Sequence, residues 1–194
     1  MIIKLYHDNN QANNLLLDKN FLQQIKIGCA LQPLLALDIG KKRIGIASTD
    51  PHHLVISPLK IINSKNQLED CQKIIDIAVE KNIKILIIGI PIGKKFDSDL
   101  MSESQNKDNS THSIYNHINE FSKILLDEMT KRISRPQIIM INESLSSFEA
   151  RRIIRENFYL HHRKKYRPNN LVQKKFYDDV AASVIMQYFI EEFL

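Results

Sequence analysis

Apolar positions fall in short runs divided by polar turns. Residues 34–39, 43–48 and 54–62 read as three strands joined by tight turns; the third is interrupted near Pro58, and the turn before it carries Asp50-Pro51. This spacing predicts an antiparallel meander. From residue 67 to 81 the period lengthens, with Ile74, Ile75, Ala78 and Val79 at helical spacing, and 83–90 is a continuous apolar run of the kind that strands covered on both faces require. A parallel strand is therefore expected after the meander. A second helix over 114–132 carries Ile118, Phe121, Leu125 and Met129 on one side, and Pro136 opens a further strand at 137–141. The last helix starts near Asn170 and runs toward Phe189. The expected fold class is α/β, a mixed five-stranded sheet flanked by helices.

Two segments break this pattern. Residues 1–33 are rich in Asn and Gln, hold one short helix near 15–27, and are expected to form an N-terminal extension, flexible in part. Residues 93–112 are rich in Ser, Asn, Asp and Lys and too long for an ordinary connection, so a polar surface insertion is expected there. The main domain is then 34–194.

Asp38 is the one carboxylate in the apolar run Leu34-Leu35-Ala36-Leu37-Asp38-Ile39. Burying it costs free energy unless a cation or hydrogen-bond donors meet it. A buried acid bonded to turn amides satisfies the same requirement. Glu143 follows the 137–141 strand directly, and it reads either as a site acid or as compensation for nearby arginines. In the final helix, at about 100° per residue, Asp178 lies beside Ile185 on the flank of the apolar stripe, whereas Asp179 falls opposite. Asp178 reads either as a site acid or as a first-turn acid favoured by the helix dipole.

If the runs at 34–39, 83–90 and 137–141 are parallel, Asp38, the Gly89-Ile90-Pro91 turn and Glu143 all lie toward the carboxyl ends of their strands, where open α/β sheets place their sites. Three carboxylates converging there suit two Mg²⁺ or Mn²⁺ ions roughly 3.5–4 Å apart, an arrangement that hydrolyses phosphodiesters.

Charge supports that direction. The net charge is +5, but residues 151–175 hold nine basic side chains against Glu156 alone. Ser146 and Glu149 have capping-box spacing for a helix in which Ala150, Ile153, Ile154 and Phe158 form the apolar stripe, leaving Arg151, Arg152 and Arg155 on another face. Such a run is either solvated surface or a nucleic-acid footprint. Cys29 and Cys71 are too far apart in sequence, and too few, to suggest a metal site or a disulfide framework. No apolar stretch reaches the roughly 20 residues needed to span a bilayer, and the start of the chain lacks a secretory pattern, so the cytoplasm is expected.

The run Leu37-Asp38-Ile39-Gly40-Lys41-Lys42-Arg43-Ile44-Gly45-Ile46-Ala47, continuing to Ser57-Pro58-Leu59, closely resembles the opening of the YqgF/RuvX family. Gly89-Ile90-Pro91 resembles its Gly-Leu-Pro turn, Glu143 to Ala150 its Asp-Glu-Arg-Leu-Thr-Thr motif and following helix, and Lys174 with Asp178-Asp179-Val180-Ala181-Ala182 its closing Asp-x-x-Ala-Ala. The resemblance spans about 34–192. It implies a ribonuclease H-like domain, a nuclease maturing the 5′ end of pre-16S ribosomal RNA, with Asp38, Glu143 and Asp178 as catalytic acids holding Mg²⁺ or Mn²⁺. It also implies RNA and pre-ribosomal 30S particles as partners, for a monomer or weak homodimer. Lys42, Arg43, Arg151, Arg152, Arg155 and Lys174 are the candidate RNA-backbone contacts, with strand-edge charge as the other reading of Lys42 and Arg43.

The chain departs from the family pattern in three places: Asn142-Glu143-Ser144 replaces Asp-Glu-Arg, Lys41 replaces the Thr after Asp-x-Gly, and Lys175 replaces a Gly. These changes keep open a non-catalytic or weakly catalytic RNA-binding assembly factor. A Holliday junction resolvase would need the same acids and a dimer matched to a four-way junction. An actin-like ATPase also begins with Asp-x-Gly, but this chain is short for two lobes and has no later glycine-rich nucleotide loop.

Overall fold

The computed structural model describes residues 1–5, 19–91, 109–142 and 170–194, without the side chains of 19–21, 109–112 and 170–180. One half of its sheet is the predicted meander: β2 (Leu34–Ile39), β3 (Arg43–Thr49) and β4 (Ile56–Asn63) pair antiparallel in succession. Pro58 does not break β4. The register steps from Ile46 opposite Lys60 to Ala47 opposite Pro58, leaving Leu59 as an extra residue. A bulge on an edge strand accommodates a residue that has no amide to donate.

The chain then crosses over through α2 (Gln67–Glu80) to β5 (Ile85–Ile90), which lies parallel to β2 on the side away from β3. Asn66 caps α2 by accepting the Leu68 amide at 2.9 Å. The helix α3 (Asn109–Thr130) leads to β6 (Gln137–Asn142), parallel to β5, and α4 (Asn170–Phe193) closes the chain. These strands and helices form the mixed α/β sheet flanked by helices that the sequence predicts.

Among the described residues the sheet nevertheless has six strands, where five were expected. Ile2–Leu5 form β1, which pairs parallel with β6 and gives the order β1-β6-β5-β2-β3-β4. The segment read as an extension thus supplies an edge strand and a helix, α1 (Lys19–Cys29), whose Ile25 and Cys29 are buried. Leu5 is buried too. Four residues are too few to show alternation, so the sequence carried no strand signal there.

Alternation along each strand divides the core. Leu35, Leu37 and Ile39 face α2 and α3, joining Ile74, Ile75, Phe121, Leu125 and Met129. Leu34 and Ala36 face the other way, joining Ile25, Cys29, Ile87, Ile141, Ile185, Met186 and Phe189 of α1, β5, β6 and α4. Both faces are therefore apolar in the central strands, which is why β2 and β5 read as unbroken hydrophobic runs. Among the described residues, no helix is long and apolar enough to cross a membrane.

Candidate functional site

Asp38 is the next-to-last residue of β2 and, following Leu34 and Ala36 at two-residue steps, lies on the α1/α4 face. It is half-buried, in contrast to the full burial of the four residues before it. Its partner across the antiparallel pair is Gly45. On the other side the parallel register pairs Leu37 with Ile88, so Asp38 is level with Gly89. Neither lateral neighbour of the carboxylate has a side chain. In a sheet, residues directly opposite share a face at Cβ separations of about 4.5–5.5 Å. Two glycines there keep the flanks of Asp38 clear of side chains from β3 and β5, and a strand glycine commonly marks such close approach. The motif reading noted both glycines as sequence letters; only the register shows that they bracket the acid.

Gly89 in turn pairs with Ile141, and Ile90 with Asn142, the last residue of β6. The carboxyl ends of three adjacent parallel strands, β6, β5 and β2, therefore meet at one edge, as the sequence predicted, with Asp38 on β2, where the parallel strands meet the antiparallel meander. Asn142 is buried. Glu143 comes next in the chain but lies outside the described residues, as do the helix expected from Ser146 and its Arg151, Arg152 and Arg155. Asp178 and Lys174 belong to α4, whose backbone is described there but not its side chains. That helix packs on β2, β3, β4 and β5, the face that carries Asp38.

The turn after Asp38 is tightly tied. Gly40 donates its amide to the Arg43 carbonyl at 2.9 Å, and Ser64 donates its amide to the Lys42 carbonyl, also at 2.9 Å. Lys42 is exposed. Arg43 is half-buried and stands two residues before Gly45, on the same pleat face as Asp38. Of the two residues, Arg43 is thus the one that shares a surface with the acid. Lys41 turns the other way, its Nζ donating to Ser113 Oγ at 2.8 Å.

Among the described residues, no three His, Cys, Asp or Glu side chains gather as a metal site. The side chains of Glu143 and Asp178 lie outside the described residues; Asp38 presents a hard oxygen donor on a paired strand, flanked by glycines. That chemistry fits Mg²⁺ or Mn²⁺. Cys29 and Cys71 are fully buried within the two cores, and burial pushes each thiol up to about 12, with Asp70 and Glu128 adding to the effect at Cys71. Neither has the exposure or the lowered pKa of a reactive thiol.

Known proteins resemble the chain over most of its length. A protein of Fusobacterium nucleatum named "Putative pre-16S rRNA nuclease" is 28% identical over 158 residues, covering 81% of this chain and 95% of the relative. A protein of Endomicrobium trichonymphae with the same name is 23% identical over 158 residues, covering 81% and 94%. Thermus thermophilus RuvC, solved in complex with a Holliday junction substrate, aligns at 10% identity over 82% of this chain and 95% of that one, with a TM-score of 0.46. That structural likeness is too low to bear on chemistry. The family model described as "RuvX: Holliday junction resolvase" matches residues 32–192, which include the meander, all three expected acids and all but the last residue of α4, and the chain therefore belongs to the RuvX family.

Proposed function

We propose that this chain is a metal-dependent nuclease that hydrolyses RNA phosphodiesters and acts in the cytoplasm on the 5′ end of pre-16S ribosomal RNA, free or within 30S precursors. The observation that carries this reading is the placement of Asp38, on β2 between Gly45 and Gly89, at the edge where β6 leads the chain to Glu143. Support for the RNA substrate comes from the names of the Fusobacterium and Endomicrobium relatives. The nuclease domain is 34–194, with β1 and α1 of residues 1–33 attached to its sheet and core.

In this reading Asp38, Glu143 and Asp178 hold Mg²⁺ or Mn²⁺, which when bound supplies Lewis-acid stabilisation of the phosphate and a nucleophilic water at neutral pH. The sheet holds Asp38 in place without conformational adjustment. Position 178 lies seven residues, two helical turns, before the buried Ile185, and this spacing places both positions on one side of α4. Arg43 and Lys42 at the turn, with Arg151, Arg152, Arg155 and Lys174, hold the RNA backbone, and guanidinium groups match phosphate geometry in two-point contacts.

A second reading is a non-catalytic RNA-binding assembly factor. It is favoured by Asn142-Glu143-Ser144, in which the strand end keeps the central acid but lacks both its acidic and its arginine neighbour. The deciding experiment is cleavage of a model pre-16S 5′-leader RNA by the purified chain with Mn²⁺ or Mg²⁺, wild type against Glu143→Gln, beside a four-way DNA junction. Cleavage of the RNA by wild type alone is expected. Equal background from both proteins with RNA binding intact would leave the assembly-factor reading, and preferential cleavage of the junction would move the substrate to branched DNA.

A further inference from the structure

At the edge that carries Asp38, a second group of cations lies on the opposite face of the sheet. Lys41, in the turn after β2, is exposed and bonds Ser113 of α3. Lys65 is exposed in the turn between β4 and α2, next to Ser64, whose amide bonds the Lys42 carbonyl. Lys4 of β1 is exposed and opposite Met140, on the face packed by α3. Its Nζ is 3.3 Å from the Tyr115 hydroxyl and 5.7 Å from the ring centroid, so the ammonium sits at the phenol's oxygen end.

The contacts of these lysines do not neutralise them. The partners of Lys4 and Lys41 are neutral hydroxyls, and among the described residues no ion pair engages Lys4, Lys41 or Lys65. Lys73 on α2 is instead paired with Asp70, and Lys131 and Arg132, just past the end of α3, are paired with Glu128 and Asp76. Three cations that have no acidic partner among the described residues therefore border the strand edge from β4 across to β1. From β2 to β1 the distance is three strand spacings, on the order of 15 Å. A flexible, extended polyanion can follow such a line, whereas a compact anion would meet only one lysine. The half-buried Tyr115 ring beside Lys4 adds the aromatic surface that single-stranded nucleic acid sites combine with positive charge.

We infer that the RNA path crosses the strand edge onto the α3 face, where Lys65, Lys41 and Lys4 bind the phosphates of single-stranded RNA flanking the cleavage position. This rests on the nuclease reading for the identity of the polyanion. Lys4 precedes the family-matched residues 32–192, so this end of the path lies outside the matched domain.

The test is binding of a single-stranded RNA of roughly thirty nucleotides, and of one of about six, by the full chain in EDTA over a salt series. Two triple variants are compared with wild type. One carries Lys4→Gln, Lys41→Gln and Lys65→Gln; the other removes equal charge at the far end of the sheet with Lys26→Gln, Lys81→Gln and Lys84→Gln, all three exposed. For the first triple, affinity for the long RNA is expected to fall about tenfold and the log–log salt slope by about 2, at roughly 0.7 per lost phosphate contact. The short RNA is expected to lose much less affinity, and arginine at all three positions should restore binding. Equal losses from both triples, equal losses on both RNAs, or a wild-type slope in the first triple would each overturn the inference. Because EDTA removes cleavage from the readout, a nuclease that fails to cleave can still show the path, and a cleaving one can lack it.

Discussion

Gly40 donates its amide to the Arg43 carbonyl at 2.9 Å, and a Cβ built on Gly40 would stand 3.0 Å from that same oxygen. This contact closes the turn two residues after Asp38 and carries the chain to Arg43 on the same face. In Gly40→Ala the turn must open by a few tenths of an ångström. Destabilisation of about 1 kcal/mol is expected, the low end for overpacking, or about 2–4 °C in thermal midpoint. Cleavage should fall further than stability does, because Asp38 and Arg43 move relative to each other. Circular dichroism melts beside RNA cleavage rates check this; loss of stability with an unchanged rate would detach the turn from the site.

Asp38→Asn preserves shape and removes the charge. Metal-dependent RNA cleavage should drop by about a hundredfold or more, a magnitude typical for losing one preorganised electrostatic group. The melting temperature should stay within a few degrees of wild type, as the half-buried side chain is replaced by one of equal size. Full cleavage by this variant would remove Asp38 from the mechanism.

The thiols give a pH prediction with a definite sign. Burial pushes Cys29 and Cys71 up to about 12 from an ordinary 9.0, so both stay protonated in the folded chain at pH 8. Neither should react with an aromatic disulfide reagent until the chain unfolds. Above pH 9.0 the unfolded chain loses these protons while the folded chain keeps them, so stability is complete below that pH and declines above it. Each thiol contributes a loss of up to about 1.4 kcal/mol per pH unit. Urea titrations of wild type and of Cys29→Ala with Cys71→Ala at pH 8 and pH 10 measure the difference, which should be smaller for the variant.

Leu5 tests the strand that the sequence did not reveal. It is 1% exposed, in the same apolar cluster as Ile139 and Ile141 of β6. Leu5→Ala should cost about 2–4 kcal/mol through lost burial and a cavity. A cost near zero in a denaturant titration would mean that β1 is dispensable for the core.

Phe189 anchors α4. It is fully buried, its ring 5.6 Å from that of Phe193. Phe189→Ala should cost about 3–5 kcal/mol. If α4 positions Asp178, cleavage at a temperature where the variant is still folded should also fall; hydrogen exchange in α4 beside the cleavage rate separates a loosened helix from general unfolding.

The sequence by itself determined the elements and their periods. Continuous apolar runs at β2 and β5, helical spacing at Ile74 and Ile75 or Phe121 and Leu125, and the lone acid in β2 are local patterns, visible because burial leaves a period of 2 or 3.6 in the residues that make it. The same local logic singled out Asp38, Glu143 after the 137–141 strand and Asp178 by its helical phase, and the resemblance to the family carried the same three acids over as a metal site. The tertiary structure alone decided what lies beside what. It paired Asp38 with Gly45 and set it level with Gly89, placed Arg43 on the acid's face, carried β4 through Pro58 by a bulge, and joined Ile2–Leu5 to β6 across most of the chain's length. These are non-local pairings. Their register depends on which faces are buried once the strands assemble, and a four-residue strand has too short a pattern of its own to announce its partner.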